Sequence, residues 1–324
     1  MLAVTTAGER VTVDSALPWL TALLAGGTAG ELSEANAADA TVHLEIQADR
    51  RPFSRDGWKL IGRGTWAAPP CALVLDACSS GFDLQVEPRG ATLRVTARYR
   101  PAPRTLAANM ALRARFRLLA TQALLHYPAL WRASLRGRVP LHVCVCAGAG
   151  GVTMIAGPGG VGKSTLLSAG LRQGEIATAD NLCACDSRAA YGVAEPLRVA
   201  AGRGRAGTTH GRSEHRIPSR VCCLEPDRLV VLRRGAPGSP ATAEPLSPVE
   251  AGRELVAGTY MAGELRRFWS FAATLALATG QGPVHADVRG VAALLVARLP
   301  CLQVRVPDGG SEPLTELLGR AGAW

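Results

Sequence analysis

The second half of the chain contains the run Gly157-Pro158-Gly159-Gly160-Val161-Gly162-Lys163-Ser164, and no other eight residues predict as much about the fold. The run fits the pattern G-x-x-x-x-G-K-[ST] at every fixed position. Lysine is rare in this chain, because Lys59 is the only other one among 36 lysines and arginines. Composition alone therefore does not explain a lysine at this position. We predict a phosphate-binding loop (P-loop) that connects a strand to a helix.

Each part of this loop has a physical role in holding a polyphosphate. Glycines let the backbone turn tightly and bring its N–H groups close to an anion, and the following helix directs its free N–H groups the same way. Lys163 supplies a charge for the β- and γ-phosphates, Ser164 can ligate Mg²⁺, and Thr165 can contact the α-phosphate. Residues 152–156 are typical of a buried strand and residues 164–171 of a helix with one apolar face. We therefore expect residues 157–165 to bind ATP together with Mg²⁺.

Composition restricts the class of protein. The chain has 324 residues, of which 48% are hydrophobic, enough for α/β domains with a large core. The formal net charge is +10, but the arginines are scattered and not interleaved with aromatic residues, which disfavours a nucleic-acid ligand. The longest apolar run, 268–278, is too short to span a bilayer, and the first residues lack the pattern of an export signal. We expect a cytoplasmic protein without a membrane partner, whose nine cysteines are reduced.

Strand and helix patterns predict two domains. Residues 1–104 are predicted to form a smaller α+β N-terminal domain, with a helix at 17–24 and strands at 42–46, 59–65, 71–76, 82–86 and 91–96. Residues 105–324 are predicted to form the second domain, which begins with a long helix over 105–135 that is kinked at Pro128. Further strands are predicted at 141–146, 152–156, 175–180, 228–232 and 302–306, and helices at 248–258, 263–278 and 288–299. Residues 200–217 are rich in Gly, Arg and His without periodicity, which predicts a mobile loop.

Three residues outside the loop are candidates for the chemistry. Asp180 ends the predicted strand after the P-loop helix, at the edge where carboxyl ends of strands open onto one crevice. It could hold Mg²⁺ or accept a proton from an attacking hydroxyl, and the alternative is a turn cap. His142 lies on the strand before the P-loop strand, where a buried core histidine is the alternative. Glu195 is either a second Mg²⁺ ligand or an exposed connector charge.

Cysteines occur in pairs that could suggest a metal site: Cys144 and Cys146, Cys183 and Cys185, and Cys222 and Cys223. These spacings do not suit a structural zinc site, which favours cysteine pairs on turns with two to four residues between them. Residues two apart on a strand share a face, so we interpret these cysteines as small buried apolar side chains.

Four segments carry a resemblance to a known family: Leu124-Leu125-His126-Tyr127-Pro128, Gly137-Arg138-Val139-Pro140-Leu141-His142, the run from Ile155 to Leu166, and Thr178-Ala179-Asp180-Asn181. Over residues 120–305 the chain resembles the catalytic domain of the HPr kinase/phosphorylase family, and more narrowly its actinobacterial relatives without the usual N-terminal domain. The resemblance implies a P-loop kinase core of the HPr kinase C-terminal type. By position, it implies that Asp180 is the general base, that His142 lies near the phosphates, and that Glu195 binds metal. Asn181 replaces the second aspartate of the family's pair, which puts the reverse phosphorolysis reaction in doubt.

The expectation is a kinase that transfers the γ-phosphoryl group of ATP to a hydroxyl, with Asp180, Lys163 and His142 as catalytic residues. Ser164, Asp180 and Glu195 are the predicted ligands of Mg²⁺. The acceptor would be a serine of a peptide or protein or a small serine-like metabolite, and a homo-oligomer is left open. The alternative is a nucleotide-binding regulatory or assembly ATPase that transfers phosphate to no acceptor. A transport or motor ATPase is disfavoured, because the chain has no Leu-Ser-Gly-Gly-Gln signature.

Overall fold

The computed structural model describes residues 1–34, 39–200, 211–236, 239–306 and 314–320. The chain divides into two compact units, one made of Met1–Gly137 with Arg267–Ala286 and the other of Arg138–Arg266 with Asp287–Trp324. Helices and mixed sheets occur in the described residues, which confirms the α/β class. Among these residues, no helix combines the length and apolar character that crossing a membrane requires.

The described strands follow one another in the order β1 (Leu2–Thr6), β2 (Glu9–Ser15), β3 (Ser33–Glu34), β4 (Val42–Gln47), β5 (Lys59–Gly62), β6 (Thr65–Ala68), β7 (Cys71–Val74), β8 (Phe82–Arg89), β9 (Thr92–Tyr99), β10 (Val139–Leu141), β11 (Cys144–Gly148), β12 (Gly151–Ala156), β13 (Ile176–Ala177), β14 (Cys183–Cys185), β15 (Ala190–Gly192), β16 (Leu197–Ala200), β17 (Arg212–His215), β18 (Cys223–Leu224), β19 (Arg228–Arg234), β20 (Thr242–Pro245) and β21 (Cys301–Val306). The described α-helices are α1 (Pro18–Gly27), α2 (Pro103–Ala111), α3 (Arg113–Thr121), α4 (Tyr127–Ser134), α5 (Lys163–Arg172), α6 (Pro248–Met261), α7 (Arg266–Thr279), α8 (Val288–Arg298) and α9 (Leu314–Arg320). Short 3₁₀ turns occur at Ala77–Ser79 and Gly263–Leu265, and a π-helical segment at Gln122–His126.

The first unit is built on one sheet with the strand order β3-β1-β2-β4-β9-β8-β7-β6-β5 in the described residues. Strand β4 runs parallel to both β2 and β9, and the other pairs are antiparallel. On β4, Val42, Leu44 and Ile46 are buried while the alternate residues are half-buried, so one face of the sheet forms the core. Helix α4 packs on this face against β2, β4 and β9.

The predicted domain boundary after residue 104 lies inside this unit. Helix α4 belongs to its core, with Trp131 fully buried, and the Arg132 guanidinium donates hydrogen bonds of 3.1 and 2.7 Å to the Ala91 carbonyl. Helix α7 returns to the same unit, where Phe268 packs against Tyr127 with ring centroids 5.6 Å apart. These contacts join residues that are far apart in sequence, and local patterns do not show them.

The predicted helix over 105–135 is divided differently from the expectation. The backbone leaves the helical region at Leu112 (φ −118°, ψ 61°), between α2 and α3. The chain does not break at Pro128, which lies in the first turn of α4 directly after the π-helical segment. Proline has no N–H to donate to the preceding turn, and a widened turn accommodates this loss.

In the second unit, the predicted P-loop follows the carboxyl end of β12 in a six-stranded sheet of described residues, with the order β13-β11-β12-β19-β21-β20. Strands β12, β19 and β21 are parallel, and β11 forms a hairpin with β12 in which Gly148 is opposite Gly151. Helix α5 packs its apolar face, including Leu166 and Leu167, against a core that also contains Leu317 and Leu318 of α9. Helix α6 packs against β12, β19 and β21.

Two predicted strands of this unit are corrected by the structure. The segment 141–146 is split, because β10 joins a separate sheet (β10-β14-β15-β18) and His142 and Val143 connect it to β11. The segment 175–180 is reduced to β13, and β11 lies between β13 and β12. Strands β12 and β13 still run in the same direction, since both are antiparallel to β11. Within the predicted mobile loop, residues 212–215 form β17, and residues 201–210 lie outside the described residues.

Candidate active site

The P-loop connects β12 to α5 through glycines in conformations that other residues rarely adopt. Gly157, Gly160 and Gly162 have φ angles of +145°, +79° and +112°. A Cβ at Gly157 would lie 2.9 Å from the Leu232 carbonyl oxygen of β19. Any other residue at this position would therefore have a strained backbone and would also clash with β19. Val161 is predicted to contact the nucleotide, but its side chain packs in the hydrophobic core.

Lys163 folds back over the loop that precedes it. Its Nζ donates hydrogen bonds to the Gly157 carbonyl at 2.8 Å and to the Pro158 carbonyl at 3.3 Å. The side chain is buried, and this burial lowers the pKa of Lys163. On the other side of the loop, Arg234 Nη2 donates to the Gly160 carbonyl at 2.9 Å. The carbonyl groups of the loop therefore accept hydrogen bonds from two cations, Lys163 and Arg234, and the Lys163 ammonium group is held against the loop.

A cleft of about 480 Å³ opens beside the loop, within the second unit. Its lining comes from the P-loop, the connection at His142, the β16–β17 hairpin and the carboxyl end of α6: His142, Pro158, Gly159, Gly160, Gly162, Lys163, Ser164, Thr165, Asn181, Arg198, Arg212, Glu254, Ala257, Gly258, Met261, Ala262, Gly263 and Glu264. Four of the predicted site residues are not part of this lining: Gly157, Val161, Asp180 and Glu195. Asp180 and Glu195 are buried and hydrogen-bond to the backbone N–H groups of Arg198 and Asn181, two residues of the lining.

Asp180 is fully buried, and its two carboxylate oxygens have different surroundings. Its Oδ2 accepts hydrogen bonds of 2.9 Å from the Asn181 amide Nδ2 and from the Arg198 backbone N–H. Its Oδ1 has no hydrogen-bond partner among the described residues. Burial raises the pKa of Asp180, while the Arg198 N–H, the nearby Ser164 hydroxyl and the charges of Arg198 and Lys163 act to lower it. A buried carboxylate with an unsatisfied oxygen is costly.

These residues fit a magnesium ion that is bound together with phosphates. Mg²⁺ prefers hard oxygen donors and usually takes one or two from the protein and the rest from phosphates and water. Ser164 Oγ and Asp180 Oδ1 are donors of this kind beside the P-loop. No group of three or more His, Cys, Asp or Glu side chains that could hold a metal alone is found in the described ranges. The arrangement therefore suits a nucleotide-bound ion rather than a separate metal centre.

Glu195 is not the exposed connector charge that was one of its two interpretations. It is buried, its Oε1 accepts a 3.3 Å hydrogen bond from the Asn181 backbone N–H, and its Oε2 lies 3.2 Å from Arg198 Nη1. Burial raises the pKa of Glu195 to about 7, with the charges of Asp180 and Glu264 adding to the rise and that of Arg198 opposing it. Both oxygens are thus engaged, in a network that also holds Asp180.

His142 lies between two sheets and also lines the cleft. Its backbone N–H donates to Thr259 Oγ1 at 3.1 Å, and its ring Nδ1 has no hydrogen-bond partner in the part of the chain that the structure describes. Burial lowers the pKa of His142 to about 4, with the Lys163 charge adding to the effect. The ring is therefore neutral at pH 7, and it is both a buried histidine and a residue of the site.

Arg198, Arg212 and Glu264 are residues of the cleft that the sequence patterns did not identify. Burial alone would lower the pKa of Arg198, but the charges of Glu195 and Glu214 outweigh this effect and raise it. Arg198 and Arg212 belong to the β16–β17 pair, whose strands are short and separated by a segment without periodicity. In the sequence, the charged residues Arg212 and Glu214 are two positions apart, a spacing that could have indicated a strand with both side chains on one face.

The paired cysteines of β11 and β14 are buried in the structure. All nine are free thiols, and the side chains of Cys144, Cys146, Cys183 and Cys185 are buried. Burial raises the pKa of Cys146 and of Cys183 to about 12. These thiols are therefore protonated and inert, in agreement with their interpretation as apolar side chains.

Comparison with known proteins identifies no family for this chain. No protein-family model matches it, and no curated protein matches it significantly.

Proposed function

We propose that the chain is an ATP- and Mg²⁺-dependent phosphotransferase whose acceptor is a hydroxyl, most directly that of a serine or a serine-like group. The observation that carries this proposal is the buried Asp180 carboxylate, which lies close to the Ser164 hydroxyl of the P-loop and has one oxygen without a hydrogen-bond partner among the described residues. A carboxylate beside the P-loop serine could help to hold Mg²⁺ in a switch as well as in a kinase, and transfer to a hydroxyl also needs a proton acceptor close to the γ-phosphate, a role that this carboxylate can take.

In the proposed reaction, the acceptor oxygen forms a bond to the γ-phosphorus as the bond from the γ-phosphorus to the bridging oxygen breaks. The electron pair of the broken bond leaves with ADP, and the proton of the acceptor hydroxyl moves to Asp180 Oδ1. Because Asp180 is buried behind the cleft lining, this step requires the carboxylate to become accessible when the acceptor binds. Burial raises the pKa of this carboxyl group and makes it a stronger base. The hydrogen bonds to Oδ2 from Asn181 and Arg198 fix the carboxylate plane, so that Oδ1 faces a defined direction.

The other residues of the cleft bind and orient the nucleotide. The loop N–H groups and the Lys163 ammonium stabilise negative charge on the β- and γ-phosphates. Neutral His142 lines the cleft and adds no charge next to Lys163. Bound Mg²⁺ would neutralise charge on the phosphates. We assign it to Ser164, because the free oxygen of Asp180 is needed for the proton and the oxygens of Glu195 are engaged.

The experiment is incubation with γ-labelled ATP, Mg²⁺ and a serine-containing peptide library or serine-like metabolites. The proposal predicts label on the acceptor, absent when the serines are replaced by alanine. Release of label only as inorganic phosphate would indicate a hydrolase. Saturable binding of ATP without any turnover would support the regulatory or assembly ATPase instead.

A further inference from the structure

The β16–β17 hairpin directs an arginine into the cleft beside the P-loop. Ala200 is opposite Arg212 in this antiparallel pair, and Arg198 is opposite Glu214. Because alternate residues of a strand share a face, Arg212 lies on the same face as Glu214 and Arg198. Arg198 Nε is 3.5 Å from Glu214 Oε1, and both Arg198 and Arg212 line the cleft. This face of the hairpin therefore forms one wall of the site.

Both arginines on this wall lie among other charged groups. The Arg198 guanidinium lies 3.2 Å from Glu195 and 3.5 Å from Glu214. Burial lowers the pKa of Lys163 and the Arg212 charge adds to this effect, while the charges of Asp180 and Glu264 oppose it. Lys163 and Arg212 both line the cleft, so a ligand with several negative charges can contact both cations.

We propose that Arg212 is a catalytic residue of the phosphotransfer, an arginine supplied by the chain itself that contacts the γ-phosphoryl group during transfer and stabilises its charge. This inference rests on the proposed function. A planar guanidinium can donate two hydrogen bonds to phosphoryl oxygens at once, which a second lysine could not do. Such an arginine acts on the transition state more than on bound ATP.

The hairpin also links this arginine to the proposed base. The Arg198 backbone N–H on β16 holds Asp180 Oδ2, and Arg212 is carried on the paired strand β17. Strand β16 packs against helix α5, which begins at Lys163 of the P-loop. The base, the lysine and Arg212 therefore belong to one set of packed elements, and they keep fixed positions relative to each other.

The test measures the affinity for MgADP with and without aluminium fluoride, which mimics the phosphoryl group in transfer. In the wild type we expect aluminium fluoride to tighten MgADP binding. In Arg212→Gln we expect this tightening to be lost, MgADP affinity alone to change less than about threefold, and turnover to fall about 10³-fold. Arg216→Ala is the matched control, because Arg216 is exposed, follows β17 directly and does not line the cleft.

Each outcome decides between the two proposals. If Arg212→Gln keeps the tightening by aluminium fluoride, or if the wild type binds MgADP without any tightening, the role of Arg212 is wrong. If the wild type binds no MgADP, the proposed function itself fails. Arg212→Lys is a control for a folding defect, because it retains the positive charge and loses only the planar guanidinium group. We expect its turnover to lie between those of the wild type and Arg212→Gln. Free guanidinium should restore part of the turnover of Arg212→Ala, which loss of a purely structural contact would not allow.

Discussion

Replacement of Asp180 by asparagine separates nucleotide binding from transfer. The Asn181 Nδ2 and Arg198 N–H groups that donate to Oδ2 at 2.9 Å can donate to an amide oxygen in the same place. The new NH₂ then takes the position of Oδ1, which has no hydrogen-bond partner in the described chain and lies near the Ser164 hydroxyl. We expect the free energy of unfolding to change by less than about 2 kcal/mol. Turnover should fall by about 10² to 10⁴, which corresponds to about 3–5 kcal/mol in the barrier, because the base is lost.

The assay pairs single-turnover transfer of labelled phosphate with equilibrium binding of MgATP. Binding should stay within about threefold of the wild type, since the loop and Lys163 are intact. A second readout is the pKa of Glu195, which burial raises to about 7 with help from the Asp180 charge, and which should therefore fall in Asp180→Asn. Asp186→Asn is the control, because this aspartate caps a turn at Arg188 and Ala189 outside the cleft. Turnover at the wild-type rate in Asp180→Asn would refute the reasoning, and a parallel loss of MgATP binding would assign Asp180 to binding instead.

Two further predictions concern the loop and His142. Gly157→Ala should lower the melting temperature and abolish MgATP binding, because its Cβ would lie 2.9 Å from the Leu232 carbonyl oxygen. Gly159→Ala is the control and should melt like the wild type, because no atom beyond the neighbouring residues lies within 4 Å of a Cβ at this position. If both variants melted at the same temperature, the predicted clash at Gly157 would be wrong. For His142, burial lowers the folded-state pKa from 6.5 to about 4, so the unfolded chain takes up the proton first. The neutral ring therefore contributes stability above pH 6.5 that is lost as the pH falls toward 4. Denaturant titrations across this range should show a steeper loss for the wild type than for His142→Gln, and identical slopes would refute the burial effect.

The P-loop and the elements next to it could be predicted from the sequence because their signals are local. The apolar strand, the glycine run and the helix with one apolar face agree with β12, the loop and α5. The same is true of α6, α8, β19 and β21, whose patterns need no knowledge of distant residues. Asp180 was predicted in the same way, because it follows the next short strand; its carboxylate lies near Ser164 but behind the cleft lining, and its role stays a prediction.

The remaining features depend on contacts between distant residues. The chain changes sheets at His142 because β10 pairs with β14 and β11 pairs with β12, and the apolar pattern is continuous across this change. The pairing of β16 with β17 brings Arg212 to the cleft across a segment without periodicity. The role of α4 in the first unit depends on burial of Trp131 against the sheet, which no pattern within 105–135 indicates.

Equilibrium binding of MgATP to the wild type and to Lys163→Ala shows whether the glycine loop at 157–164 holds a nucleoside triphosphate. Lys163 Nζ is held at the centre of the loop by the Gly157 and Pro158 carbonyls, so its loss should leave the fold intact and remove the charge that faces the phosphates. We predict one saturable site per wild-type chain, competition by ADP, and at least about tenfold weaker binding in Lys163→Ala. A wild-type chain that shows no saturable binding, or a Lys163→Ala variant that binds MgATP as tightly as the wild type, would contradict the account.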